Sequence, residues 1–264
     1  MEQYQQLSFA DAEYANKGKC TRREKFLNQL EELLPWSVMR AVIEPHYASG
    51  KGCGRKPFAL NAMLHVHVAQ IVYNYSDPGM EDALYEIESL RRFCGIRLEG
   101  VPDESTILQF RHLLEAHELT EQIFNAINQT LADRGLFLKA GTIVDASLIA
   151  APTSTKNQSQ SRDPEMHSSK KDNQWFFGSK FHIGVDHETG LVHTLKVTSG
   201  NVSDVAEAAN LLHGEEQFVH GDAGYQGLEK RPEMPTENPP TCVIAMRPGK
   251  LAKLAKGDSE EAQL

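Results

Sequence analysis

Two aspartates raise the chemical question in this chain. Asp145 interrupts the β-branched apolar run TIVDASLIA, and Asp222 ends the run QFVHGD among residues too small to crowd it, in HGDAGYQG. A carboxylate at such a place is costly unless a partner compensates its charge. A divalent cation is such a partner. Paired carboxylates hold Mg²⁺ ions that activate a water or a 3′-hydroxyl and stabilise the leaving oxygen of an in-line phosphoryl displacement. Asp145, embedded within its strand, is expected to lie deeper and to bridge two such ions.

The elements that must position this pair follow from hydrophobic period and turn residues. TIVDASLIA reads as a strand, and the polar stretch 151–173 as a surface loop. FFGSKFHIGVDHETGLVHTLKVTSG alternates, with Phe181, Ile183 and Val185 on one face, Lys180 and His182 on the other, and a turn at HETG. That pattern is a β-hairpin. Asn201 or Ser203 caps a short helix in DVAEAANLLHG, ended by Gly214, and QFVHGDAGYQG adds a strand. A last apolar strand lies around Cys242 to Met246. The order strand, hairpin, helix, strand, with the fourth strand beside the first, is the ribonuclease H arrangement, and it would bring the two acids together.

The residues before Gly135 read as all helical. A helix near 21–34 is stopped by Pro35, and FALNAMLHVHVAQIVYNY places Leu60, Met63, Leu64, Val68, Ile71 and Val72 at helical spacing. DPGMEDALYEIESLRRFCGI is one amphipathic segment opened by Asp77-Pro78. VPDESTILQFRHLLEAHEL has Asp103 or Ser105 as N-cap, and TEQIFNAINQTLADRG is capped by Thr120 and closed by Gly135. His65 and His67, two apart on a helix, point to different faces and read as core-edge histidines rather than as a metal site.

Composition narrows the classes. The chain has 264 residues, 40% of them hydrophobic, enough for one large or two modest cores. No export signal and no membrane-length apolar stretch is visible, and the four scattered cysteines have no metal spacing, which fits free thiols in a reducing cytoplasm. A net charge of −9 excludes indiscriminate coating of nucleic acid. Local basic clusters leave a DNA partner open. Lys17, Lys19, Arg22, Arg23 and Lys25 form one, and Arg55 and Lys56 sit with Lys51 in the acid-free GKGCGRKP. Lys170, Lys171, Lys180 and His182 cluster before and on the hairpin, where they face DNA phosphates or solvent. Trp175 is a candidate to stack on an unpaired base at a cleaved end, its ordinary alternative being packing within the hairpin. A phosphohydrolase of the haloacid dehalogenase type needs an Asp-x-Asp motif on its first strand, which Val144-Asp145-Ala146-Ser147 does not supply.

VDASLIAAPTSTKN, the run from RDPEMHSSKKDN through GNVSDV, and LLHGEEQFVHGDAGYQGLEKRPE resemble the DDE transposases of the insertion-sequence-five (IS-five) group. GRKPF, SLRRFCGI and VPDESTILQFRHLLE resemble that family's helical N-terminal part. The resemblance runs to about Gly249. It implies an α+β chain, with a helical N-terminal domain at 1–135 that binds DNA ends, an incomplete ribonuclease H-like mixed-sheet α/β catalytic domain at 136–249, and a divergent tail at 250–264. It further implies metal-dependent cleavage and strand transfer at terminal inverted repeats, with Mg²⁺ or Mn²⁺ as cofactor. Double-stranded DNA at the repeats and at the target site is the implied partner, bound by a homodimer associated with the nucleoid and not with a membrane. Asp145 and Asp222 match the first two catalytic acids. The third, a glutamate in a Y-x-x-R-x-x-x-E segment, has no counterpart after Asp222, so the resemblance implies a chain cut or shifted in frame just after MRPGK. An uncovered sheet face and little or no catalysis by the chain alone are then expected, with DNA-binding inhibition or a decayed element as the alternative.

Overall fold

The computed structural model of the chain describes residues 14, 16–48, 56–137, 140–153, 155, 161–171, 173–247 and 249–250. It divides into two compact units, Met1–Thr130 and Leu131–Leu264. The first is helical and the second is built on a mixed sheet, so the fold is α+β.

In the first unit, α1 (Arg22–Leu33) begins at a capping box in which Thr21 and Glu24 exchange side chain-to-backbone bonds. The helix stops just before Pro35, as expected, with Leu34 as its extended C-cap. Pro35 itself stands at the N-cap of a further helix, α2 (Trp36–Ile43), where its missing amide proton costs nothing. The buried α3 (Leu60–Tyr73) follows. The segment expected as one helix from Asp77 breaks at Ile87, which adopts an extended conformation, into α4 (Asp77–Glu86) and α5 (Glu88–Cys94). Asp103 caps α6 (Glu104–Ala116), accepting the Thr106 amide at 2.7 Å. The last helix, α7 (Leu119–Asp133), starts one residue before Thr120, which therefore lies inside its first turn and is not its cap. Gly135 follows with φ +71°. Two apolar clusters, one around Leu84 and Leu90 and one around Leu64 and Leu114, form the core.

The second unit contains β1 (Gly141–Ala150), β2 (His167–Lys171), β3 (Gln174–Asp186), β4 (Val192–Ser199), β5 (Phe218–Gly221) and β6 (Thr241–Ile244). β1 pairs antiparallel with β3 and parallel with β5; β3 also pairs antiparallel with β4, and β5 parallel with β6. The order β4-β3-β1-β5-β6 is the ribonuclease H arrangement. β2 is an addition to it. The stretch expected as loop contains this strand because HSSKK, though polar, pairs residue by residue with the start of β3. The crossover between β4 and β5 holds one turn of α-helix, α8 (Asp204–Glu207), continued as a 3₁₀ turn over Ala208–Leu211. Ser203 is its N-cap residue but makes no side-chain capping bond, and Asn201 does not cap it.

The core of this unit lies on one side of the sheet, where Val144 and Val219 meet Ala208, Leu211, Tyr225 and Leu228. The hairpin faces alternate as the sequence suggested, but the well-buried face of β3 is the one carrying His182, Gly184 and Asp186, while Phe181, Ile183 and Val185 are only half-buried. The reason is the crossover. A Cβ at Gly184 would lie 2.4 Å from the Leu211 carbonyl, so that backbone seats directly on this face. On the opposite side, Ile149, Leu195, Val197, Phe218 and Val243 remain exposed.

Beneath the sheet, the Glu216 carboxylate accepts bonds from the Thr142 hydroxyl at 3.1 Å and from the amides of His213 and Gly214 at 2.6 and 2.8 Å. His193 approaches the same Thr142 hydroxyl at 3.1 Å. This buried carboxylate is fully occupied by the fold.

Candidate active site

The parallel ladder decides where the two aspartates fall. β1 and β5 pair Gly141 with Phe218, Thr142 with Val219 and Ile143 with His220, an offset of 77 residues. Asp145 and Asp222 are separated by the same offset, so the register, carried two residues past the last pair, sets Asp145 on β1 level with Asp222, the residue that follows β5, on chains about 4.8 Å apart. Both line one open pocket of about 450 Å³, together with Ile143, Val144, His187, His220 and Gly221.

Asp145 is not the deeper of the two. Strand alternation buries Val144, only 2% exposed, and turns Asp145 outward, and Asp222 is exposed as well. Each carboxylate accepts one local amide bond, Asp145 from Ala146 and Asp222 from Gly224, both at 2.8 Å. The small residues after Asp222 now have a reason. A Cβ on Gly224 would stand 2.9 Å from the Asp222 Oδ1. One on Gly221 would press on Tyr225 and Ile244 at 3.1–3.2 Å. Glycine thus lets the backbone close around the carboxylate while Tyr225 packs beneath it.

Three further residues belong to this place. Burial, reinforced by the charges of Asp204, Asp145 and Asp222, pushes the Tyr225 phenol far above its ordinary range, and its buried hydroxyl has no hydrogen-bond partner among the described residues. His187 and His220 stack with centroids 4.3 Å apart and planes 17° apart. Burial, with the neighbouring His187 charge, holds His220 below its ordinary range. Sequence reading passed over both histidines. The signal was period two, since His220 stands two residues before Asp222 and so projects from the same side of β5.

The structure separates the other candidate contacts. Lys180 donates to Asp204 Oδ1 and to the Val202 carbonyl, both at 2.7 Å, and is mostly buried. Asp204 is therefore an ion-pair partner at the start of α8. His182 is fully buried and bonds Thr198 Oγ1 at 2.9 Å. Lys170 is exposed on β2, directly across from Trp175 on β3, and Lys171 is the last residue of β2. Trp175, for which packing was the ordinary alternative, is 68% exposed. Lys56 is exposed and lines a pocket with Tyr47 and Phe58 in the first unit, while Arg55 and Lys51 lie outside the described residues.

Among the described residues, no group of three or more His, Cys, Asp or Glu side chains is placed to hold a metal ion. The acids form a pair. Two carboxylates suit a hard cation that keeps several waters and completes its shell from a phosphate. Among the described residues, no helix is long and apolar enough to cross a membrane. Compared with known families, residues 16–113 match the model of a Transposase domain (DUF772) and residues 137–257 that of a Transposase DDE domain. The second match contains both Asp145 and Asp222.

Proposed function

From the premise that this chain is an insertion-sequence transposase of the DDE class, we propose that it belongs to the IS-five group and performs metal-dependent cleavage and strand transfer at the terminal inverted repeats of its element. The observation that carries this reading is the level placement of Asp145 and Asp222 across a parallel ladder, in one open pocket, with neither carboxylate consumed by the fold. Mg²⁺, with Mn²⁺ as substitute, is the cation this pair would share with a DNA phosphate. When bound, it supplies Lewis-acid activation of the phosphate and a more acidic water. The chain's own residues do the rest. Asp145 and Asp222 place two negative charges side by side, the Gly224 amide fixes the Asp222 rotamer, and Tyr225 keeps its proton under the pair.

In this reading the helical residues 1–135 bind the DNA ends, residues 136–249 carry the chemistry, and two copies act together on DNA in the cytoplasm. A second reading is favoured by one observation, the pair of acids without a third ligand among the described residues. In it the chain occupies DNA ends or an intact relative's subunits and cuts little or nothing, since removing one member of a cooperating catalytic set costs several orders of magnitude in rate.

One experiment separates these readings. The purified chain is incubated with Mn²⁺ or Mg²⁺ and labelled end DNA, alone and mixed with an intact relative. Turnover that Asp145→Asn abolishes supports the enzyme. End binding without turnover, together with a lowered rate of the relative, supports the inhibitor. A chain that neither binds nor cuts end DNA overturns both.

A further inference from the structure

β3 is longer than the sheet that holds it. Its residues 178–186 pair with β1, and the Phe177 carbonyl accepts the amide of Ala151 just past β1 at 2.8 Å, whereas Gln174 to Phe176 pair only with β2. These residues and β2 form a two-stranded ribbon that continues past the end of β1. Its root is close-packed. A Cβ on Gly178 would fall 1.9 Å from the Ile149 carbonyl oxygen, and one on Gly200 would fall 2.8 Å from the carbonyls of Gly178 and His167. The Gly200 amide also donates to the Gly178 carbonyl at 3.0 Å. The ribbon therefore leaves the sheet at a fixed place.

What it presents is unusual for an edge. Lysines on an edge strand protect it from pairing with other chains, and that would account for Lys170 alone. It does not account for a tryptophan two-thirds exposed directly across from Lys170. Phe177, two residues on, is buried and carries the Arg162 guanidinium 5.2 Å from its ring centroid. Strand alternation puts Trp175 on the same side of β3 as Ile183, the residue paired with Asp145. Eight residues separate Trp175 from Ile183, about 26 Å of strand.

We propose that the β2–β3 ribbon is a nucleic-acid arm, in which Trp175 stacks on an unpaired base of the DNA strand and Lys170 meets an adjacent phosphate. The proposal rests on the transposase reading and adds a position to it. The stacked base lies within about eight nucleotides of the phosphate at the acid pair, given a rise of about 3.4 Å per nucleotide. An exposed aromatic ring beside a cation is the usual platform for an unpaired base, and a tryptophan that no core claims is free to act as one.

The test uses the full chain, a dT oligonucleotide of about 15 nucleotides and a blunt duplex. Oligonucleotide binding is expected to quench tryptophan fluorescence in the wild type, and Trp175→Phe to abolish that quench while leaving the circular dichroism melt unchanged. Trp175→Ala is expected to weaken oligonucleotide binding about five-fold or more. Lys170→Gln should lower the salt dependence by about one ion, with little effect on the quench. A quench that survives Trp175→Phe, or an unchanged affinity in Trp175→Ala, overturns the arm, and duplex binding by the same samples leaves the transposase reading standing. A wild-type chain that binds neither probe overturns the arm together with the reading beneath it.

Discussion

Thr142 and Asp145 stand three residues apart on one strand, and their surroundings differ in kind. Thr142 points into the buried knot in which Glu216 accepts three hydrogen bonds and two histidines pack around it. Asp145 points into an open pocket, where it and Asp222 each take a single bond from a nearby amide. Both places gather carboxylates and histidines. The difference is satisfaction. A carboxylate whose lone pairs the fold fills is part of the fold, and one that the fold orients but leaves open is available to a ligand.

The largest expected effect separates chemistry from stability. Asp145→Asn or Asp222→Asn should lower any Mn²⁺-dependent cleavage by about a thousand-fold or more. The urea midpoint of the same proteins should hardly move, because each side chain is exposed and replaceable at a cost of about 0.5 kcal/mol. A large loss of stability would mean that the acids belong to the fold after all.

Next in size is the converse. Glu216→Ala should lower unfolding free energy by about 2–4 kcal/mol, since it strands the Thr142 hydroxyl and two amides in a buried site. Mn²⁺ affinity, measured by calorimetry, should stay within error. A variant equally stable but weaker in metal binding would erase the distinction between the two places.

The pH response is smaller and has a definite sign. Burial, with the nearby His213 charge, holds His193 in the knot below its ordinary value of 6.5. Below that pH the unfolded chain takes up a proton that the folded chain resists, so stability falls as pH drops from 6.5. His193→Gln should flatten that part of the stability curve, and an unchanged slope would place the titration elsewhere. Smallest is Gly224→Ala. The new Cβ displaces the Asp222 carboxylate, which should weaken Mn²⁺ binding about ten-fold and leave the melt nearly unaltered.

Much of the site was legible because it depends on short-range signals. An acid inside TIVDASLIA and an acid before AGYQG are visible to inspection, and Asp103, one of the two caps that residue type offered, caps its helix. What escaped depends on partners distant in sequence. HSSKK has no strand pattern of its own and becomes β2 only because the start of β3 extends beyond β1. The apolar face of the hairpin looked like the core face, yet the crossover covers the face of His182 and Gly184 instead. His187 and His220 meet only after the ladder has formed, 33 residues apart in the chain.

The ladder that joins β1 to β5 also sets an order of events. Its offset of 77 residues means that the β1–β3–β4 meander, made of nearer neighbours, closes at lower entropic cost than the contact beside it. Asp145 has no acid beside it until β5 stands next to β1. A chain caught partway through folding, or still emerging from the ribosome, has one acid exposed and the other unplaced. The pair of acids exists only once that long-range contact has been made.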